Sequence, residues 1–99
     1  MKRQLQLRLS EIKRARDQNI QKDFLVGCKL AIQEQLGMAW QVEGAAVTLA
    51  DLEKKLEPDS KLITIFSMAD QAAYSGQVLS NEQMQQLYTQ LESELVKLP

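Results

Sequence analysis

Cys28 is the only cysteine of the chain and the one side chain whose type suggests a strong nucleophile. A thiol attacks as the thiolate and needs a base nearby, and the usual partner is missing because the sequence has no histidine. Cys28 therefore reads as a small core residue. A lone cysteine also excludes an intramolecular disulfide, which fits a reducing compartment. Without histidine, zinc and haem lack their common ligands, and the acids never take the spacing of a calcium loop. Glu53 with Glu57, and Asp51 with Lys55, lie one helical turn apart, a spacing that solvated helix faces produce routinely. Gly27, Gly37, Gly44 and Gly76 are too far apart for a Walker loop or a dinucleotide fingerprint. No catalytic, cofactor-binding or metal-binding residue is assigned, and the expectation is a protein that is not an enzyme and uses no cofactor.

Charge is distributed unevenly. Residues 1–22 hold Lys2, Arg3, Arg8, Lys13, Arg14, Arg16 and Lys22 against Glu11 and Asp17, a net +5, whereas the remaining residues carry a net −6. A basic leading segment on an acidic body suits anionic lipid, nucleic acid or an acidic protein surface, and equally a solvated helix face. Nucleic acid is not expected, because Lys54-Lys55 is too short a basic run, and the chain too acidic overall, for a nucleic-acid footprint with aromatic stacking.

These residues must be carried by helices. Phe24, Leu25, Cys28, Ala31, Ile32 and Leu36 recur at the spacing that gives a helix one apolar face. Asp23 is read as the N-cap and Gly37 as the left-handed terminator, so this helix covers 23–36. Its crowded stripe needs neighbours on several sides, which makes it the hub. Leu5, Leu9 and Ile12, with the stem of Arg16, mark a helix over 4–16, Leu7 lying off the line. Asp17-Gln18-Asn19 reads as a turn, and the short connection predicts an antiparallel pair with the hub. Met38 to Val47 has no clear period and reads as an ordered loop in which Trp40 is a packing anchor. Thr48 and Asp51 form a capping box for a helix over 48–57.

Pro58 suits a first helical turn and opens a helix over 60–74. Its run LITIF could alone be a strand, but the continuation through Ala69, Ala72, Ala73 and Tyr74 favours helix, ended by Ser75-Gly76. Ser80 and Gln83 form a second capping box, and Met84, Leu87, Tyr88, Leu91, Leu95 and Leu98 carry a last helix over 81–98. The expected fold is all-α, one domain over 1–99, a compact bundle of about five helices around the central one. The expected core is Leu9, Ile12, Phe24, Cys28, Ile32, Leu36, Leu52, Leu62, Ile65, Phe66, Ala69, Leu87, Leu91 and Leu95. No apolar run approaches the ~18 residues of a membrane span, and the polar start lacks a signal-peptide core.

Taken together, KRARDQNIQKDFLVGCKLAIQEQLGM, TLADLEKKL, SMADQAAYSG and a final amphipathic helix resemble the C-terminal domain of BatD-like bacterial oxygen tolerance proteins. Phe24, Leu36-Gly37, Thr48 with Leu52, and Tyr74 with Gly76 stand at the anchors of that pattern. Ser75, and a loop around Trp40 without proline, depart from it. The resemblance implies a fragment of a larger membrane protein, lying after a transmembrane helix on the cytoplasmic face of the inner membrane. It implies a non-enzymatic scaffold that contacts a MoxR-type AAA+ ATPase and von Willebrand A-domain proteins. Retained positive charge on the cytoplasmic flank of a span agrees with the basic start, and residues 1–16 could touch anionic membrane. The alternative is a free-standing small helical regulatory or adaptor protein, with Leu7, Trp40 or the basic helix forming a partner or nucleic-acid surface.

Overall fold

The apolar periodicity is realised as helix throughout. A computed structural model of the chain describes residues 3–75 and 78–98, apart from the side chains of 72–75. Its α-helices are α1 (Arg3–Asp17), α2 (Gln21–Trp40), α3 (Leu49–Lys55), α4 (Lys61–Ser75) and α5 (Asn81–Val96), with one 3₁₀ turn at Gly44–Ala46. There is no strand among the described residues, so LITIF is helical, and Leu62, Ile65 and Phe66 point into the core. The expected anchors Tyr74 and Gly76, the alanines Ala72 and Ala73, and the basic residue Lys2 lie outside the described side chains.

α2 is the hub. Phe24, Leu25, Cys28, Ala31, Ile32, Gln35, Leu36 and Gly37 are all buried along it. It packs against α1, α4, α5 and the 3₁₀ turn. Arg8 meets Glu34 and Ile12 meets Gly27, so residue numbers fall along α2 as they rise along α1, and the pair is antiparallel. The helices can touch there because a Cβ on Gly27 would stand 2.8 Å from Ile12 Cγ1. Every residue expected in the core is buried except Ala69, which is half-buried against it. Leu5, Ala15, Leu25, Ala31, Val47, Leu79 and Met84 join them. Each large side chain fully removed from water contributes about 1.5–3 kcal/mol.

Both ends of the hub differ from the sequence expectation. Asp23 is not the N-cap: it lies in the first turn of α2, whose N-cap is Ile20, without a side-chain cap bond. The helix starts early because α1 ends in a Schellman motif. Asn19 is left-handed (φ 59), and Ile20 N–H donates to Ala15 O (2.9 Å) while Asn19 N–H donates to Arg16 O (3.0 Å). Phe24 N–H then donates to Ile20 O (3.0 Å), and the next helix is under way. Gly37 is not the terminator. α2 continues to Trp40, and Gln41 takes the left-handed position (φ 58), with Val42 N–H donating to Gly37 O (2.9 Å). Gly37 has a different duty: a Cβ there would lie 2.9 Å from the Gly44 backbone, so the glycine lets the 3₁₀ turn press on the helix. The stretch 38–47 is thus one helical end plus a 3₁₀ turn, held by Gln33 Nε2 donating to Val47 O (3.0 Å).

The two capping boxes form as read. Thr48 Oγ1 accepts from Asp51 N–H while Asp51 Oδ2 accepts from Thr48 N–H, and Ser80 and Gln83 do the same for α5. Pro58 belongs to no helix. It sits in the turn 57–60, where Ser60 N–H donates to Glu57 O (2.9 Å), and the fixed φ of proline suits the second position of that turn. α3 stops at Lys55 and α5 at Val96, leaving Leu98 beyond the helix but still packed on the core.

Candidate functional site

The residues first considered for chemistry are not brought together. Cys28 is fully buried on the core face of α2, and desolvation pushes its thiol up to about 12, so the thiolate is suppressed at neutral pH. Asp51 spends its carboxylate on Thr48, whose backbone N–H lowers its pKa first and whose side-chain hydroxyl adds to that. Glu53 and Glu57 are exposed, as are Lys54 and Lys55. Among the described residues no group of three or more Cys, Asp or Glu could hold a metal ion. Trp40 is half-buried at the end of α2, and Lys55 Nζ stands 4.6 Å from its ring centroid. This contact ties α3 to the hub and takes up the face of the indole.

The basic leading segment divides into two groups. Arg8 forms a bidentate pair with Glu34, Nε to Oε1 at 3.0 Å and Nη2 to Oε2 at 2.9 Å, and reaches Glu11 at 3.0 Å through Nη1. These bonds, the one to Glu34 foremost, raise its pKa despite some opposing desolvation. Arg16 pairs with Asp17 at 2.9 Å and lays its guanidinium 4.9 Å from the Tyr88 ring centroid, joining α1 to α5. Both arginines work inside the fold. Arg3, Lys13, Arg14 and Lys22 are exposed and have no carboxylate at ion-pair distance among the described residues.

The open surface lies on α2. Its outer face is covered by the 3₁₀ turn near Gln33 and Gly37 and left bare nearer its start. Val26 is 50% exposed and Leu30 36%, and Ile20 at the hairpin turn is 40%. With Ile12, Ala15 and Gly27 they line a shallow groove of about 280 Å³ between α1 and α2, bordered by Arg8, Glu11, Arg14 and Asp23. Apolar side chains bordered by charge suit a protein partner better than a small polar substrate. The sequence reading left Val26 and Leu30 off the inward stripe of this helix and assigned them no role, so it did not find the strip. No described helix is long and apolar enough to cross a membrane. Comparison of the chain with protein-family models, with curated proteins and with solved structures finds no match.

Proposed function

We propose that this chain is a non-enzymatic protein-interaction domain, serving as the scaffold piece of a BatD-like, membrane-associated aerotolerance protein at the cytoplasmic face of a bacterial inner membrane. The observation that supports an interaction role is the bare strip of Ile20, Val26 and Leu30 on the helix around which the fold is built. A partner seated there would touch the helix on which α1, α4 and α5 all pack. The family assignment and the partners, a MoxR-type AAA+ ATPase and von Willebrand A-domain proteins, rest on the sequence resemblance alone. The test is titration of the purified chain with the MoxR-type ATPase and the A-domain proteins encoded beside its gene. Saturable binding that weakens at least about tenfold in Val26→Asp and Leu30→Asp, with helicity unchanged, is the expected result. No binding by either partner class, or no such genes in the neighbourhood, removes the scaffold reading.

A further inference from the structure

The outward ridge of α1 consists of Arg3, Leu7, Ser10 and Arg14, at successive steps of four, three and four residues, and all four are exposed. Lys13 stands exposed on the flank of the same helix. Between Arg3 and Arg14 the ridge runs roughly 17 Å. The acids of α1 do not neutralise it: Glu11 is held by Arg8 at 3.0 Å and Asp17 by Arg16 at 2.9 Å. The helix thus separates its arginines, Arg8 and Arg16 joining elements together while Arg3, Lys13 and Arg14 are left to solvent. Between the two ridge arginines stands Leu7, 58% exposed, a large apolar side chain that the core does not use.

We infer that this ridge rests on an anionic lipid surface, with Arg3, Lys13 and Arg14 at the headgroups and Leu7 entering the boundary below them. Charge complementarity selects an anionic partner, and the geometry selects a flat one. Arg3 stands at one end of α1 and Lys13 with Arg14 near the other, so the cations do not converge as they would around a single small anion. Nucleic acid is disfavoured because α1 has no aromatic residue for a base to stack on, and the nearby Tyr88 ring is occupied by Arg16. An acidic protein surface could meet the cations but gives no reason for a bare leucine between them, whereas an interfacial helix uses both features at once. This surface is separate from the apolar strip on α2, although Arg14 stands where the two meet. It therefore goes beyond the scaffold reading and does not need it.

The attraction acts over about a Debye length, roughly 8 Å at physiological salt, so the ridge orients the domain on a membrane without anchoring it. Each cation near such a surface contributes about fivefold in partitioning. The experiment is co-sedimentation of the full chain with phosphatidylcholine vesicles of increasing phosphatidylserine content, at low and at physiological salt. Binding should rise with phosphatidylserine, fall with salt, and drop on the order of 100-fold in Arg3→Gln/Lys13→Gln/Arg14→Gln. Lys54→Gln/Lys61→Gln removes two exposed cations from α3 and α4, neither of which packs on α1, and should change binding less than about twofold. Leu7→Gln should weaken vesicle binding severalfold and leave binding to soluble polyglutamate unchanged. Circular dichroism of each exposed-residue variant should match the parent. The inference is overturned by absence of binding to phosphatidylserine-rich vesicles at low salt, by binding indifferent to lipid charge, or by binding that survives the triple substitution. It is equally overturned if polyglutamate binds through the same cations and vesicles do not, which would assign the ridge to an acidic protein.

Discussion

At the scale of single residues, the chemistry of Cys28 and Asp51 is decided by what surrounds them. Cys28 has no exposure, and burial pushes its thiol up to about 12, so a disulfide reagent should reach it only when the fold opens. Native protein at neutral pH is expected to react with a thiol reagent at least about a hundredfold more slowly than protein in denaturant, in a stopped-flow or absorbance assay. A rate close to the denatured one would contradict the burial. Because the folded thiol is raised above its unfolded value, its contribution to stability is full below about pH 8.5 and declines as pH rises toward 12. Asp51 has the opposite sign. Its carboxylate is stabilised by the Thr48 N–H and hydroxyl, so its contribution holds above the ordinary Asp range and is lost as pH falls through its lowered pKa. An NMR titration should show Asp51 protonating below the ordinary Asp range, with the Thr48 amide resonance moving in step. Titration within or above that range would mean that the capping box does not persist in solution.

The elements show how much of the fold the sequence carried and where its legibility ended. Asn19 belongs to the few non-glycine residues that accept the left-handed conformation readily, so the turn after α1 could be read from Asp17-Gln18-Asn19. Gln41 has no such preference, and nothing in its type marks it as the end of α2. The glycine four residues earlier carried the right kind of signal for a different reason, close approach of the backbone of Gly44. A sequence does not distinguish a glycine that bends the chain from one that lets two segments touch, because both needs are met by the missing Cβ. The open strip was illegible for a related reason: Val26 and Leu30 fall off the inward stripe, but their spacing does not say whether another element covers them. The substitutions separate the two glycine roles. Gln41→Gly should raise stability by up to about 1 kcal/mol, because it relieves a left-handed side chain. Gly37→Ala should lower stability by about 1–3 kcal/mol despite the better helix propensity of alanine, since its methyl group would meet backbone at 2.9 Å. Urea denaturation of both variants measures this, and a stabilised Gly37→Ala would show that the 3₁₀ turn does not sit on the helix.

For the whole molecule, the arrangement around α2 sets which damage is global and which is local. Phe24 is fully buried on the hub, and α2 contacts α1, α4 and α5, so a cavity at that ring weakens contacts on several elements together. Phe24→Ala should cost about 3–5 kcal/mol, a large share of the roughly 5–15 kcal/mol that holds a domain of this kind folded. α3 is placed differently. It has seven residues, its backbone approaches only α4 among the helices, and Leu52 is its one buried side chain. Leu52→Ala removes contacts that exist only while α3 is docked, so its effect on the rest of the fold is limited by the free energy of that docking. Once α3 lifts away, the packing of α2 against α1, α4 and α5 remains. Hydrogen exchange should therefore show Phe24→Ala lowering protection in α2, α4 and α5 alike. In Leu52→Ala the loss should be concentrated in α3, with the α2 amides losing less than half as much in free energy. Equal loss of protection across all helices in Leu52→Ala would mean that α3 folds as one unit with the hub, through the Trp40–Lys55 contact as much as through α4.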